Sequence, residues 1–146
     1  YAESKIGAGQ YADAANHYLY LNQKLPGQLA VLNNLAYAFA QLKDKRAVTY
    51  AEQAYKLQPG NASVLDTYGW ALSQTGQAAK GVTFLQQALS KAPDSGDIQY
   101  HYAAALAANG DKTRAQLELN ELLKRSKKFS MEAEAKTLLQ QLSSNP

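Results

Sequence analysis

The chain has 146 residues, 46% of them apolar, with a formal net charge of +3 and a pI near 9.0. That is enough chain and enough apolar surface for one domain or one short array with its own core. It contains no cysteine, which excludes disulfides and thiolate metal sites, and its mild positive charge is scattered, so no nucleic-acid partner is expected.

Ala, Leu, Gln and Lys dominate and β-branched residues are scarce, so the expected elements are helices. Residues 1–28 read as a partial first repeat. A stub over about 2–8 is followed by a helix from about Gln10 to Lys24, with Ala14, Tyr18 and Leu21 on one face. "GAGQYA" at 7–12 loosely fits a dinucleotide-binding pattern, but no strand precedes it, so a turn between helices is expected there.

Residues 29–61 hold a helical hairpin. Leu32, Leu35, Ala36 and Phe39 face inward from its first helix, and Ala47, Ala51 and Ala54 from its second. Its turn, "LKDKRA", is expected to be one residue shorter than the others and lacks Gly.

Residues 62–95 give the clearest unit. Asn61 is a good N-cap, and Leu65, Tyr68, Gly69 and Leu72 form an apolar stripe. Gly76 breaks the chain, and a second helix runs from about Ala78 to Lys91 with Gly81, Leu85 and Ala88 on one face. Residues 96–129 repeat the pattern with Tyr102, Ala103 and Leu106, then Gly110, then Ala115, Leu119 and Leu122.

Ser130 can cap a last helix to about Leu142, so 130–143 reads as a capping helix. Met131, Ala135, Leu138, Leu139 and Leu142 form its apolar face. The opposite face is not basic, which argues against a membrane-surface role.

Pro26, Pro59 and Pro93 end these stretches at intervals of 33 and 34 residues, and Lys127 stands at the next such position. Proline cannot continue a helix, and a period of this length marks stacked helical hairpins. Gly69, Ala36 and Ala103 lie where the two helices of each hairpin approach, and Ala14, Ala47, Gly81 and Ala115 occupy the second such contact. The cluster Lys124, Arg125, Lys127 and Lys128 suits a helix C-terminus, with a phosphate or acidic-surface contact as the alternative.

Leu65, Tyr68, Gly69, Leu72, Gly81, Leu85, Ala88 and Pro93, with two further units in phase, resemble the tetratricopeptide repeat over residues 10–129. The family's usual Trp near the start of the first helix is replaced by Leu32, Leu65 or Gln99, and Trp70 follows the Gly69 position instead. The resemblance implies an all-α, right-handed superhelical array of α-α hairpins in one continuous solenoid domain, closed by the capping helix. "NNLAYAF", "VLDTYGWAL" and "IQYHYAAALAANGD" are similar to the C-terminal repeats of bacterial tetratricopeptide lipoproteins of exosortase-linked (PEP-CTERM) exopolysaccharide systems. That implies a bacterial periplasm or envelope location, with the cytoplasm as the alternative.

In this family the first helices line the concave side. The resemblance then places Asn33, Tyr37 and Gln41, then Asp66, Trp70 and Gln74, then Tyr100, Ala104 and Ala108 facing inward, with His101 on the flank. Tyr37, Trp70 and Tyr100 form an aromatic, amide-rich groove in this reading, or else pack between adjacent first helices. Some members bind C-terminal carboxylates through Lys and Arg; the inward positions here hold neither.

The expected function is a protein-interaction scaffold binding a peptide or helix of a partner. The alternatives are a carbohydrate- or polymer-binding module using the same aromatics, and self-association through the N-terminal end. No enzyme is expected, and no cofactor. His17 and His101 lie on different types of helix, without a ligand-spaced partner. "NAS" at 61–63 fits a glycosylation sequon, but Asn61 has a capping role. The longest apolar run, Tyr102 to Ala108, is far too short to span a membrane. No signal peptide is evident, and a chain that begins with Tyr1 reads as a piece of something longer.

Overall fold

The computed structural model describes residues 8–125 and 129–144. Among the described residues eight helices follow in order: α1 (Ala8–Lys24), α2 (Leu29–Gln41), α3 (Arg46–Leu57), α4 (Ala62–Gln74), α5 (Ala78–Lys91), α6 (Gly96–Ala108), α7 (Lys112–Arg125) and α8 (Glu132–Ser144). No strand occurs among the described residues. Residues 2–7 of the expected stub, and Lys127 and Lys128 of the basic cluster, lie outside the described residues.

The helix ends follow from local chemistry. α1, α3 and α5 each stop two residues before Pro26, Pro59 or Pro93, because proline offers no N–H and disfavours helical geometry at the residue before it. Asn61 caps α4 by accepting from the backbone N–H of Ser63 (2.9 Å) and Val64 (3.2 Å). Ser95 caps α6 by accepting from Ile98 N–H at 3.2 Å, and Asp111 accepts from Arg114 N–H at 3.2 Å at the start of α7.

Three turns share one construction. Asp44, Gln77 and Asp111 each donate a backbone N–H to the carbonyl five residues earlier, Phe39, Leu72 and Leu106, at 2.9 Å. The residue before each donor has positive φ: Lys43 (56°), Gly76 (92°) and Gly110 (91°). The turn after α2 is therefore not shorter, as expected, but the same turn with lysine in the left-handed position. The missing residue comes out of the stretch after the turn: α3 starts one residue later than α5 and α7 do after theirs and has 12 residues against their 14.

Each helix packs on the next, and α2, α4, α6 and α8 also pack on one another in turn. They form the inner layer; α1, α3, α5 and α7 form the outer one. α8 contacts both α7 and α6, the place a further inner helix would take. The core runs through the stack: Leu32, Leu35, Phe39, Leu65, Leu85, Leu119 and Leu122 are fully buried, with Ala36, Ala47, Ala51, Ala54, Ala88, Ala103 and Ala115 at the close contacts. Tyr55, Tyr68 and Phe84 meet with ring centroids 4.6–5.4 Å apart, tying α3, α4 and α5 together.

Three local expectations change. Residues 8–12 of the glycine-containing segment belong to α1 and form no turn. In α1 the buried residues are Tyr11 and Ala15; Ala14 is half-buried. Ser130 does not cap α8, which begins at Glu132. Its hydroxyl donates to the Asp97 carboxylate at the start of α6, with O–O separations of 2.8 and 2.7 Å, so a tertiary bond takes the group a cap would use.

Candidate functional site

The inner helices enclose a concave pocket of about 170 Å³. α2 contributes Asn33, Asn34 and Tyr37, α4 contributes Ser63, Asp66 and Thr67, α6 contributes Asp97 and His101, and the segment entering α8 adds Ser130 and Met131. Hydrogen bonds join each inner helix to the next. Asn33 Nδ2 donates to Ser63 Oγ at 3.1 Å, Asp66 Oδ1 lies 2.7 Å from His101 Nδ1, and Ser130 bonds Asp97.

Two polar atoms of this lining are buried without a hydrogen-bond partner among the described residues, Asn33 Oδ1 and His101 Nε2. His101 is 2% exposed. This corrects its expected place on the flank, for two visible reasons: Asp66 holds one ring nitrogen and Trp70 stacks on the ring face, with centroids 4.3 Å apart and 30° between planes.

Of the sequence-derived groove residues, Asn33, Tyr37, Asp66 and His101 line the pocket. Trp70 does not: it is 6% exposed, and its indole N–H donates to Gln41 Oε1 at 2.6 Å. Gln41 in turn donates to Tyr11 Oη at 3.4 Å. Tyr100 packs 6.1 Å from Trp70, and burial, with the Glu134 charge adding to it, pushes its phenol up to about 12. Tyr37 bridges the two zones, 6.4 Å from Tyr11 and 6.2 Å from His101. Trp70, Gln41 and Tyr100 thus join the helices together behind the pocket. Gln74 is half-buried and is not part of the lining.

Ser63, Thr67 and Asp97 escaped the sequence reading although a signal exists. Ser63 and Asp97 are 34 residues apart, as are Thr67 and His101, so both pairs recur at the repeat period. The row used instead, Asp66–Trp70–Gln74, advances four residues per step. Tyr37 stands one such step from Asn33 and lines the pocket, whereas Trp70, one step from Asp66, is covered by the His101 ring and held by Gln41.

Gln99, at the family's tryptophan position, is buried and bonded. Its amide donates to Glu118 Oε1 at 3.2 Å, and its carbonyl accepts from the Arg125 guanidinium. Arg125, part of the basic cluster, therefore ties α7 to α6.

The Asp66–His101 pair has no nucleophile: no hydroxyl bonds His101 Nε2, whereas a base-activated serine or threonine requires that contact. No group of three or more metal-ligating side chains is found among the described residues, and no helix is long and apolar enough to cross a membrane.

A family model described as tetratricopeptide repeat matches residues 72–142, from the end of α4 through α8. No curated protein matches the chain in sequence. Among solved structures, a thermophilic tetratricopeptide-repeat protein of Thermus thermophilus is similar over 97% of this chain and 77% of its own, with TM-score 0.73 and 18% identity. MamA from Desulfovibrio magneticus is similar over 98% and 91%, with TM-score 0.63 and 17% identity. A mutant Thermobaculum terrenum O-GlcNAc transferase is similar over 85% of this chain, with TM-score 0.69 and 23% identity; this chain spans only 24% of that protein. Such identities establish the fold alone, and the fold is an all-α tetratricopeptide-repeat solenoid.

Proposed function

We infer that the chain is a protein-interaction module whose concave face holds an extended segment of a partner polypeptide. The observation that carries this is the run of short polar side chains on successive inner helices, Asn33, Ser63, Asp66, Thr67 and Asp97, around buried polar atoms that lack partners. Amide, hydroxyl and carboxylate groups bond peptide backbone, and the half-buried Tyr37 adds an aromatic contact area.

A sugar-stacking site would need open aromatic faces, and Trp70 carries His101 on its ring. Likeness to part of a glycosyltransferase gives no chemistry to a chain that spans 24% of it. The resemblance to lipoprotein repeats extends the proposal to a bacterial envelope setting.

The test is to pan a random peptide library on the chain and map a selected peptide by amide chemical shifts. Shifts concentrated on α2, α4 and α6 support the reading. Shifts on the outer helices, or no enriched peptide, overturn it. A mass that rises with concentration in ultracentrifugation, with no peptide bound, would favour self-association instead.

A further inference from the structure

The concave pocket has a hydrogen-bonding bias. Among the described residues its charged side chains include two carboxylates, Asp66 and Asp97, and neither Lys nor Arg. Asn33 uses its NH2 group on Ser63, which leaves Oδ1, an acceptor, as the buried atom without a partner. In the tautomer whose Nδ1–H donates to Asp66, His101 Nε2 is also an acceptor, and it too is buried without a partner. The second carboxylate oxygen of Asp66 takes no partner among the described residues. The buried lining atoms without partners are therefore acceptors, and they lie beside two carboxylates.

Buried polar atoms in native proteins nearly always have partners, and the exceptions call for an explanation. Size narrows the candidates. At about 170 Å³ the pocket falls below the roughly 300–1,000 Å³ of small-molecule sites. It is the size of one side chain.

The geometry points to a pocket for a single basic side chain of the bound segment, arginine before lysine. This rests on the reading that the concave face takes a peptide, and it adds the residue that anchors the peptide. A guanidinium brings five donors in a planar fork and no acceptor, which suits carboxylates flanked by an amide oxygen and an imidazole nitrogen. Lysine brings the same charge with fewer donors and no plane.

The library-selected peptides provide the probe. They are expected to carry Arg or Lys at one fixed position. Replacing that residue with citrulline, which keeps the shape and removes the charge, should weaken binding to the unmodified chain about ten- to a hundredfold by calorimetry. Asp97→Asn, an isosteric change, should weaken the basic peptide by a similar factor without changing the helical circular dichroism signal, and wild-type affinity should fall with added salt. Peptides that map to α2, α4 and α6 but share no basic residue, or that bind citrulline equally well, would overturn this inference and leave the peptide-binding reading standing. If Asp97→Asn disturbs the fold, the citrulline and salt measurements on the wild type decide the matter. If no peptide maps to the concave face, both readings fail together.

Discussion

Gly69 and Gly81 stand face to face where α4 crosses α5. A Cβ on Gly69 would lie 3.0 Å from the Gly81 carbonyl oxygen and 2.6 Å from Leu85 Cγ. A Cβ on Gly81 would lie 2.7 Å from the Gly69 carbonyl oxygen and 3.0 Å from Ser73. Two backbones touch here, and neither can turn aside as a side chain could.

Gly81→Ala should therefore destabilise the chain by about 1–3 kcal/mol through overpacking, outweighing the gain of about 1 kcal/mol in helix propensity that alanine brings. Gly69→Leu should cost more and make thermal unfolding less cooperative. Gly69→Ala combined with Gly81→Ala should cost less than the sum of the two alone, because the first already parts the helices. Thermal unfolding followed by circular dichroism checks all three; a Gly81→Ala variant as stable as the parent would contradict the contact.

Lys43 offers the opposite case. It sits at φ 56°, where the equivalent turns use Gly76 and Gly110. A side chain in the left-handed region carries strain of the order of 1 kcal/mol that glycine does not. Lys43→Gly should leave the fold unchanged and stabilise it by up to about 1 kcal/mol, less the greater freedom glycine gains in the unfolded chain. Urea unfolding measures it; a clear loss of stability would mean that the lysine side chain contributes more than its backbone costs.

These two sites mark what is readable in the residues themselves. Gly69 and Gly81 recur in phase with Ala36, Ala47, Ala103 and Ala115, so the close contacts show in the spacing. The prolines announce the helix ends for a local reason, the missing N–H. Lys43 announces nothing, since only its place in the turn forces its backbone. Ser130 read as a cap because capping is local, but its hydroxyl goes to Asp97, 33 residues away, and no local pattern marks that bond. The groove falls between these cases. Helical spacing places Asn33, Tyr37 and Asp66 on the lining, while Trp70, at the repeat position of Tyr37, is drawn off it by His101 and Gln41, tertiary contacts that spacing does not show.

Trp70 binds the helices together, and its substitutions should show it. Gln41→Leu would leave the indole N–H buried without its 2.6 Å acceptor, a loss of about 1–3 kcal/mol. Trp70→Ala should cost about 3–5 kcal/mol through the cavity it leaves. In the folded parent the tryptophan emission should be that of a buried indole and should respond little to quenchers in water. Strong quenching by iodide, or a Trp70→Ala variant of unchanged stability, would return this residue to the open groove.

Tyr100 sets an alkaline limit on stability. Burial, and then the charge of Glu134, hold its phenol at about 12 in the folded chain, against roughly 10 for an unfolded tyrosine. The folded state thus keeps the proton longer. Its contribution is fully present below about pH 10 and is lost as pH rises toward 12, amounting to roughly 2–3 kcal/mol when the loss is complete. Burial raises Tyr68 and Tyr102 as well, so the parent should lose stability steadily across this window. Tyr100→Phe removes the ionising group while keeping the ring against Trp70. Urea unfolding at pH 9 and pH 12 should show a smaller alkaline loss in the variant than in the parent, and ultraviolet titration should show one fewer late-ionising tyrosine. Equal losses in the two proteins would mean that the Tyr100 hydroxyl is open to water.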